Sequence, residues 1–301
     1  MNITVYIKQT PDSSSVYIDP ISGQVDYERF VQILEAADAC AVEAAVRLKE
    51  QFGGTVTAIT LGPKEAEGAL RAALAIGADC AIRLWNASAE TWGPFAVAEA
   101  LSGHTKNRGL PDLVLCGDAS SDWASGVVGP ALAEMLGWPQ VTGVSRLEVG
   151  SQEESVTQDE HAPIEAQITL HVMRKLERGY REILMARLPL LISVTSDLNE
   201  PRYPSLPAHL AALKATIPVI DPLSYDCALG QAEAHETILE MHTPRPLPRW
   251  IAAPDSRHSP FERIGEIVSG GTTGKSARLV EGSPEELANE LVEFLRERGF
   301  I

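Results

Sequence analysis

Pro111-Asp112-Leu113-Val114-Leu115-Cys116-Gly117-Asp118-Ala119-Ser120-Ser121-Asp122-Trp123-Ala124-Ser125-Gly126-Val127-Val128-Gly129-Pro130 is the stretch that decides the fold. Pro111 to Cys116 reads as a strand whose apolar run does not alternate. That pattern belongs to a parallel sheet buried on both faces. Gly126 to Leu136 reads as a helix. Between them, small residues, hydroxyls and free backbone N–H groups lead into a helix amino end, a place suited to phosphate. Asp118, Ser120 and Ser125 equally suit plain helix capping. Trp123 suits either stacking on an adenine or flavin ring or ordinary packing.

The same strand-then-helix grammar extends outward in both directions. Asn2 to Ile7, Thr55 to Leu61 and Cys80 to Leu84 are strand-like. Ala37 to Gln51, a helix through Glu67, Leu70, Ala73 and Leu74, and Trp92 to Ser102 alternate with them. Gly53-Gly54 and Gly62-Pro63 punctuate the series. After Gly137 the spacing tightens. Gln140 to Leu147, Ala166 to Val172, Arg181 to Ala186 and Leu190 to Val194 have short connections, which predicts antiparallel strands completing the sheet. Gly150 to Glu160 reads as a hairpin loop and Gly179-Tyr180 as a turn. Asn199 to Pro207, with three prolines, is expected to be irregular. Leu213 to Asp255 reads as an extended arm. A terminal helix follows, with Ser283 as cap, Pro284 at its first position and Glu286 completing a capping box. Its apolar face is Leu287, Leu291, Phe294 and Leu295, and Gly299 stops it.

The expected architecture is therefore an α/β, Rossmann-like, parallel-centred sheet with added antiparallel strands and a C-terminal arm ending in a helix. Residues 1–212 are expected to form the α/β domain, and residues 213–301 the extended arm and terminal helix. In such a sheet, ligands bind beyond the carboxyl ends of the strands. That rule selects Lys8-Gln9, Leu61-Gly62 and above all the segment after Cys116.

Composition excludes several classes. The 301 residues carry 25 basic and 41 acidic side chains, a net charge of −16. Nucleic-acid binding needs clustered Lys and Arg, so it is not expected. No apolar run approaches the roughly 20 residues of a membrane span. Met1 to Ile7 reads as a first strand rather than a signal sequence, so the expected location is the cytoplasm. Cys40, Cys80, Cys116 and Cys227 form no CxxC pair, and no metal site is expected. The seven histidines are scattered, with no HExxH or GxSxG pattern, so no catalytic residue is assigned. Gly270 to Ser276 imitates a P-loop, but Ser269 stands where its first glycine belongs and no strand precedes it.

Several blocks resemble the β subunits of electron transfer flavoproteins. Asp197-Leu198-Asn199-Glu200-Pro201-Arg202-Tyr203-Pro204-Ser205-Leu206-Pro207 is similar to that family's signature. The resemblance continues in Val5 to Asp12, Ala41 to Glu50, Leu61-Gly62-Pro63, Ala69 to Asp79, Pro111 to Pro130 and Trp138 to Thr142, in family order over roughly the first 210 residues. It implies an adenine-nucleotide-binding fold of the alpha hydrolase kind, carrying electrons rather than catalysing alone. The implied partner is an FAD-bearing α subunit, and the pair would serve acyl-CoA or other flavin dehydrogenases. This chain itself would hold AMP, or FAD as in electron-bifurcating members. A further alternative is a stand-alone adenine-nucleotide-binding regulator.

The resemblance places the nucleotide at Tyr6, at Glu35, Ala36, Ala37 and Asp38, at Leu61 and Gly62, and along Gly117 to Val128. It places partner docking on Leu188 to Leu206, with Leu198 as apolar anchor beside Glu200, Arg202 and Tyr203. Leu198 packing on its own domain is the alternative. The sequence departs from the family where Glu35-Ala36-Ala37 replaces an Asn-Pro-aromatic run. Asp118 stands where a basic residue is usual, Ala124 where an aspartate is common, and Ser125 where a threonine is. The opening Lys8-Gln9-Thr10-Pro11-Asp12 is closer to the branch that includes bifurcating members, which points toward FAD.

Overall fold

A computed structural model describes residues 1–16, 30–149, 168–225, 258–268 and 282–297. The chain divides into two compact units, residues 1–244 and 245–301. Within the first unit the chain runs β1 (Asn2–Tyr6), β2 (Gln9–Pro11), β3 (Gln32–Leu34), α1 (Ala36–Phe52), β4 (Thr55–Leu61), α2 (Glu67–Ile76) and β5 (Cys80–Leu84). There follow α3 (Pro94–Arg108), β6 (Leu113–Gly117), α4 (Val128–Leu136), β7 (Gln140–Val149), β8 (Thr169–Lys175), β9 (Arg181–Arg187), β10 (Leu190–Val194), α5 (Leu206–Lys214) and β11 (Val219–Ile220). The described part of the second unit holds α6 (Pro260–Val268) and α7 (Pro284–Glu297).

Among the described residues the main sheet has nine strands in the order β11-β5-β4-β1-β6-β10-β7-β8-β9. Seven of them, from β11 through β7, pair in parallel. Alternate residues of its strands feed two cores. Ile3, Val5, Leu113, Leu115 and Ile192 face one side with Cys40, Ala41, Ala45 and Leu48 of α1. Tyr6, Val114, Cys116 and Leu191 face the other with Ala98 and Leu101 of α3 and Leu132 and Ala133 of α4. The period of two in each strand supplies this division. Leu113, Leu115, Leu191 and Ile192 are fully buried, and truncating such a leucine costs about 2–5 kcal/mol.

The chain places β4 on one side of β1, continues to β5, then returns across to β6 on the other side. Strand order reverses at β1, and the carboxyl ends of β1, β4, β5 and β6 flank that switch point.

The antiparallel ending needs correction. β8 does pair antiparallel with β7 and β9. β10, however, lies between β6 and β7 and is parallel to both. The pairings make β9 and β10 run in the same direction, so no hairpin joins them. The unbroken run Leu190-Leu191-Ile192, buried on both faces, carried the interior-strand signal; the short connection before it pointed the wrong way.

Other differences are smaller. Asn199–Pro207 is irregular only to Ser205, because the Ser205 hydroxyl accepts a hydrogen bond from Ala208 N and α5 begins at Leu206. Pro207 sits in the first turn, where its missing N–H does no harm. The chain expected to begin the arm instead adds β11 to the sheet edge beside β5. Sequence reading missed the antiparallel ribbon of β2 and β3. Residues 226–257, the 150–160 loop, the P-loop-like stretch and Gly299 lie outside the described residues. Leu287 N donates to Ser283 O at the start of α7.

Candidate functional site

A cavity of about 440 Å³ opens at the switch point. Its floor is formed by the strand ends, by Tyr6 of β1, Ile59 and Leu61 of β4 and Cys116 of β6. Tyr6 is buried, and its hydroxyl contacts Thr105 Oγ1 and lies 3.3 Å from Leu101 O on α3. Burial pushes that phenol well above its ordinary pKa. It therefore stays neutral and acts as a wall.

Three glycines of the lining leave little room for a side chain; a Cβ on Gly62 would stand 2.9 Å from Ala66 Cβ. A Cβ on Gly117 would stand 2.7 Å from Asp38 Oδ1 and 3.0 Å from Ala37 Cβ. One on Gly129 would stand 3.0 Å from Cys116 Sγ. The Gly117 contact explains the role of α1. Asp38 Oδ1 accepts from Gly117 N at 2.6 Å, and Oδ2 accepts from Lys8 N at 2.7 Å. One buried carboxylate thus ties the ends of β6 and β1 together across the crevice. Burial raises its pKa to about 7, against the opposing pull of those two hydrogen bonds.

Glu35 has a defined partner. Its carboxylate accepts from Ser121 N at 2.8 Å and Ser121 Oγ at 2.7 Å, fastening the middle of the 117–128 loop. It also caps α1 through Ala36 N. Ala124 has a positive φ of 50°, and its N–H donates to Ser120 O at 2.7 Å. Of the residues singled out by sequence, Tyr6, Asp38, Leu61, Gly62, Gly117 to Ser120, Asp122, Trp123 and Ser125 to Val128 line the cavity. Glu35, Ala36, Ala37, Ser121 and Ala124 do not line it. Glu35 and Ser121 hold the loop from behind, and Ala37 packs beneath Gly117.

Sequence reasoning missed one wall. Trp85, Glu90 and Trp92 come from the segment after β5 and face the 117–128 loop across the cavity. The rule that selected the ends of β1, β4 and β6 applies to β5 as well, and Trp85 directly follows it. With Trp123, this brings three of the five tryptophans of the chain to one cavity. Trp123 lies at the rim, 71% exposed.

Electrostatically the lining is acidic: Asp38, Glu90, Asp118 and Asp122 face one described cation, Lys8. Lys8 Nζ lies 2.7 Å from both carboxylate oxygens of Asp122 and 3.4 Å from Ser120 Oγ. Burial would raise the Asp122 carboxyl, but the bonds from Lys8 and Ser120 outweigh it and hold it below its usual range.

The segment expected to dock partners differs in character. Its first half, Leu190 to Val194, is the buried strand β10. Leu198 is half-buried and packs on the domain core, whereas Tyr203 is 100% exposed. Arg202 grips α1: its guanidinium bonds Glu43 at 2.8 Å and Glu50 at 2.6 Å. Arg47 adds a 2.6 Å bond to Glu43 and reaches Glu200 O at 3.2 Å. Asn199 Nδ2 donates to Cys40 O, and Cys40 Sγ to Asn199 O. Cys40, Glu43, Arg47 and Glu50 share one face of α1 by their three- and four-residue spacing.

Among the described residues no group of three or more His, Cys, Asp or Glu side chains is placed to hold a metal, and no helix is long and apolar enough to cross a membrane.

Comparison with known proteins adds a second line of argument. The profile of the electron transfer flavoprotein domain matches residues 25–224. An electron transfer flavoprotein subunit beta from Thermoanaerobacterium thermosaccharolyticum is 35% identical over 285 residues, 93% of this chain and 97% of the relative. Its namesake from Bacillus subtilis is 30% identical over 298 residues, 98% of each chain. The caffeyl-CoA reductase-Etf complex subunit CarD of Acetobacterium woodii is 34% identical over 223 residues, covering 73% of this chain and 78% of the relative.

Proposed function

We propose a role that starts from a plain premise: the chain belongs to the electron transfer flavoprotein family and serves electron transfer. It acts as the β-type subunit of a complex whose α-type subunit carries the redox flavin. It carries electrons between a flavin dehydrogenase and a redox acceptor, and does no bond-making chemistry of its own. The observation that carries this reading is the cavity at the switch point, walled by strand ends, a small-residue loop and tryptophan rings. Cofactor cavities typically span roughly 300–1,000 Å³. A space of about 440 Å³ is at the small end, which suits a mononucleotide such as AMP before a whole FAD.

A second reading, FAD in this chain, is favoured by the exposed Trp123 ring at the rim, where a ring system extending out of the cavity would lie. It is also favoured by the relative whose name places it in a CoA-reductase complex. In either case the purine half lies among Trp85, Trp92 and Leu61, and the chain's own groups orient it. Tyr6 closes the floor, Asp38 holds the crevice together, and Glu35 keeps the loop in place. Partner dehydrogenases meet the exposed end of the 195–206 loop around Tyr203.

The test is to co-express the chain with its α-type subunit, purify the complex, release bound nucleotides with acid and quantify them. One FAD with one AMP per heterodimer supports the carrier with a structural mononucleotide. Two FAD support the second reading. Failure of the two chains to associate contradicts both.

A further inference from the structure

We propose that Lys8 is the phosphate-recognising residue of the switch-point cavity, and that Asp122 occupies its ammonium group until a phosphorylated ligand displaces it. The inference rests on the reading of that cavity as a nucleotide site, and goes on to name the groups that make it discriminate between phosphorylated and unphosphorylated ligands.

The charge balance requires such a residue. A nucleotide phosphate carries close to two negative charges at neutral pH. The lining offers it four carboxylates, Asp38, Glu90, Asp118 and Asp122, and among the described lining residues one cation. Asp118, directly after the strand glycine Gly117, is itself acidic and adds no positive charge. Lys8 supplies the charge from the neighbouring strand instead.

Its position is fixed at the root and free at the tip. The backbone N–H of Lys8 is held by Asp38 at 2.7 Å, so the side chain leaves the end of β1 from a set point. An ammonium group has three donors. Two bonds run to Asp122 Oδ1 and Oδ2, and a longer contact runs to Ser120 Oγ. The cation is therefore saturated as it stands.

The partner that saturates it sits on a part of the loop able to move. Ser121 is fastened to Glu35 by two hydrogen bonds. Asp122 lies just beyond that fastening, on a partly exposed stretch; its other hydrogen bonds are short-range, from its neighbour Trp123 N and from Ser120. Phosphate presents a pair of oxygens like a carboxylate's but with greater charge. It can take over Nζ while Asp122 turns to solvent. An unphosphorylated nucleoside gains nothing from this exchange and leaves the Lys8–Asp122 pair intact. Both pairs are charge-assisted, so it is the greater charge of the phosphate, absent from a nucleoside, that separates the two ligands.

The test measures AMP and adenosine binding by calorimetry on the nucleotide-stripped, full-length chain in complex with its α-type subunit. Asp122→Asn removes the competitor while keeping its shape. It is expected to raise AMP affinity on the order of tenfold and to change adenosine affinity less than about twofold. Lys8→Met is expected to bring AMP affinity down to that of adenosine. Adenosine binding serves as the check that each variant is folded. If Lys8→Met loses adenosine as well, the AMP-to-adenosine ratio of Asp122→Asn decides the matter. If both ligands bind and the ratio is unchanged in the variants, the inference is overturned and the nucleotide site stands. If neither ligand binds the unmodified complex, the nucleotide reading fails and the inference with it.

Discussion

The loops that follow β6 and β10 leave neighbouring parallel strands at the same edge of the sheet, yet they are built in opposite ways. The 117–128 loop forms one wall of the cavity. It is fastened at Gly117 and Ser121 by two carboxylates of the α1 entry, Asp38 and Glu35, and Asp118, Ser120, Asp122 and Ser125 line the cavity. The 195–205 loop lies against α1 and is gripped along its length by Cys40, Glu43, Arg47 and Glu50. One loop keeps its functional groups available for a small ligand. The other is held rigid and leaves a single aromatic side chain, Tyr203, fully exposed. Both are organised by one helix: its amino end shapes the cavity and its middle turns hold the second loop. A rigid loop loses less entropy on docking, whereas a ligand loop must be able to exchange partners.

The largest effect that would break this comparison is at Glu43, whose side chain is only 2% exposed beneath two guanidiniums. Burial alone would raise its pKa, and Arg202 and Arg47 together hold it below the usual range. Breaking a fully buried pair costs about 3–5 kcal/mol. Arg202 is 36% exposed, which discounts this to about 2–4 kcal/mol for Glu43→Ala. Denaturant unfolding should report that loss, and proteolysis should find the 195–205 loop opened while nucleotide binding remains. An unchanged stability would contradict the clamp.

Next comes Gly117→Ala. The added methyl group meets Asp38 and Ala37, with an expected cost of about 1–3 kcal/mol. Loss of the bound nucleotide should accompany it, with the 195–205 loop unaffected.

Asp38 gives a pH-dependent effect. Unfolded, it titrates near about 3.9, whereas in the folded chain burial raises it to about 7. Between those values the folded state binds the extra proton, so stability declines as pH rises from about 4 to about 7 and levels off above. The wild-type minus Asp38→Asn difference in unfolding free energy should fall through that window. A flat difference would mean that Asp38 is not a buried titrating group.

The smallest expected effect on stability is at Tyr203. Tyr203→Ala should change stability by less than about 0.5 kcal/mol, while slowing electron transfer from a partner dehydrogenase. An unaltered transfer rate would remove Tyr203 from the docking surface.

The contrast between the loops was only half legible in the sequence. The unbroken apolar runs of β6 and β4 announced a parallel sheet. The switch-point rule then led from those runs to the 117–128 loop. What stayed hidden was long-range pairing. The segments that meet at Glu43 and Arg202 are far apart in sequence, and charge alone does not identify partners at that separation. The hold of Arg202 on its own loop was therefore not legible in the sequence. The Trp85–Trp92 wall was missed because its segment has the composition of an ordinary connection, although its place after β5 was enough to find it. At β10 two signals conflict: the short connection before it argues for an antiparallel neighbour, and its unbroken apolar run for the interior parallel position it takes.

The most direct measurement is hydrogen exchange on the full-length chain in complex with its α-type subunit, with and without saturating AMP. The account predicts slower exchange in the 117–128 loop and around Lys8 when AMP is present, and no change along 195–205, which α1 already holds. Protection appearing along 195–205 instead, or nowhere in 117–128, would contradict the assignment of one loop to ligand and the other to docking.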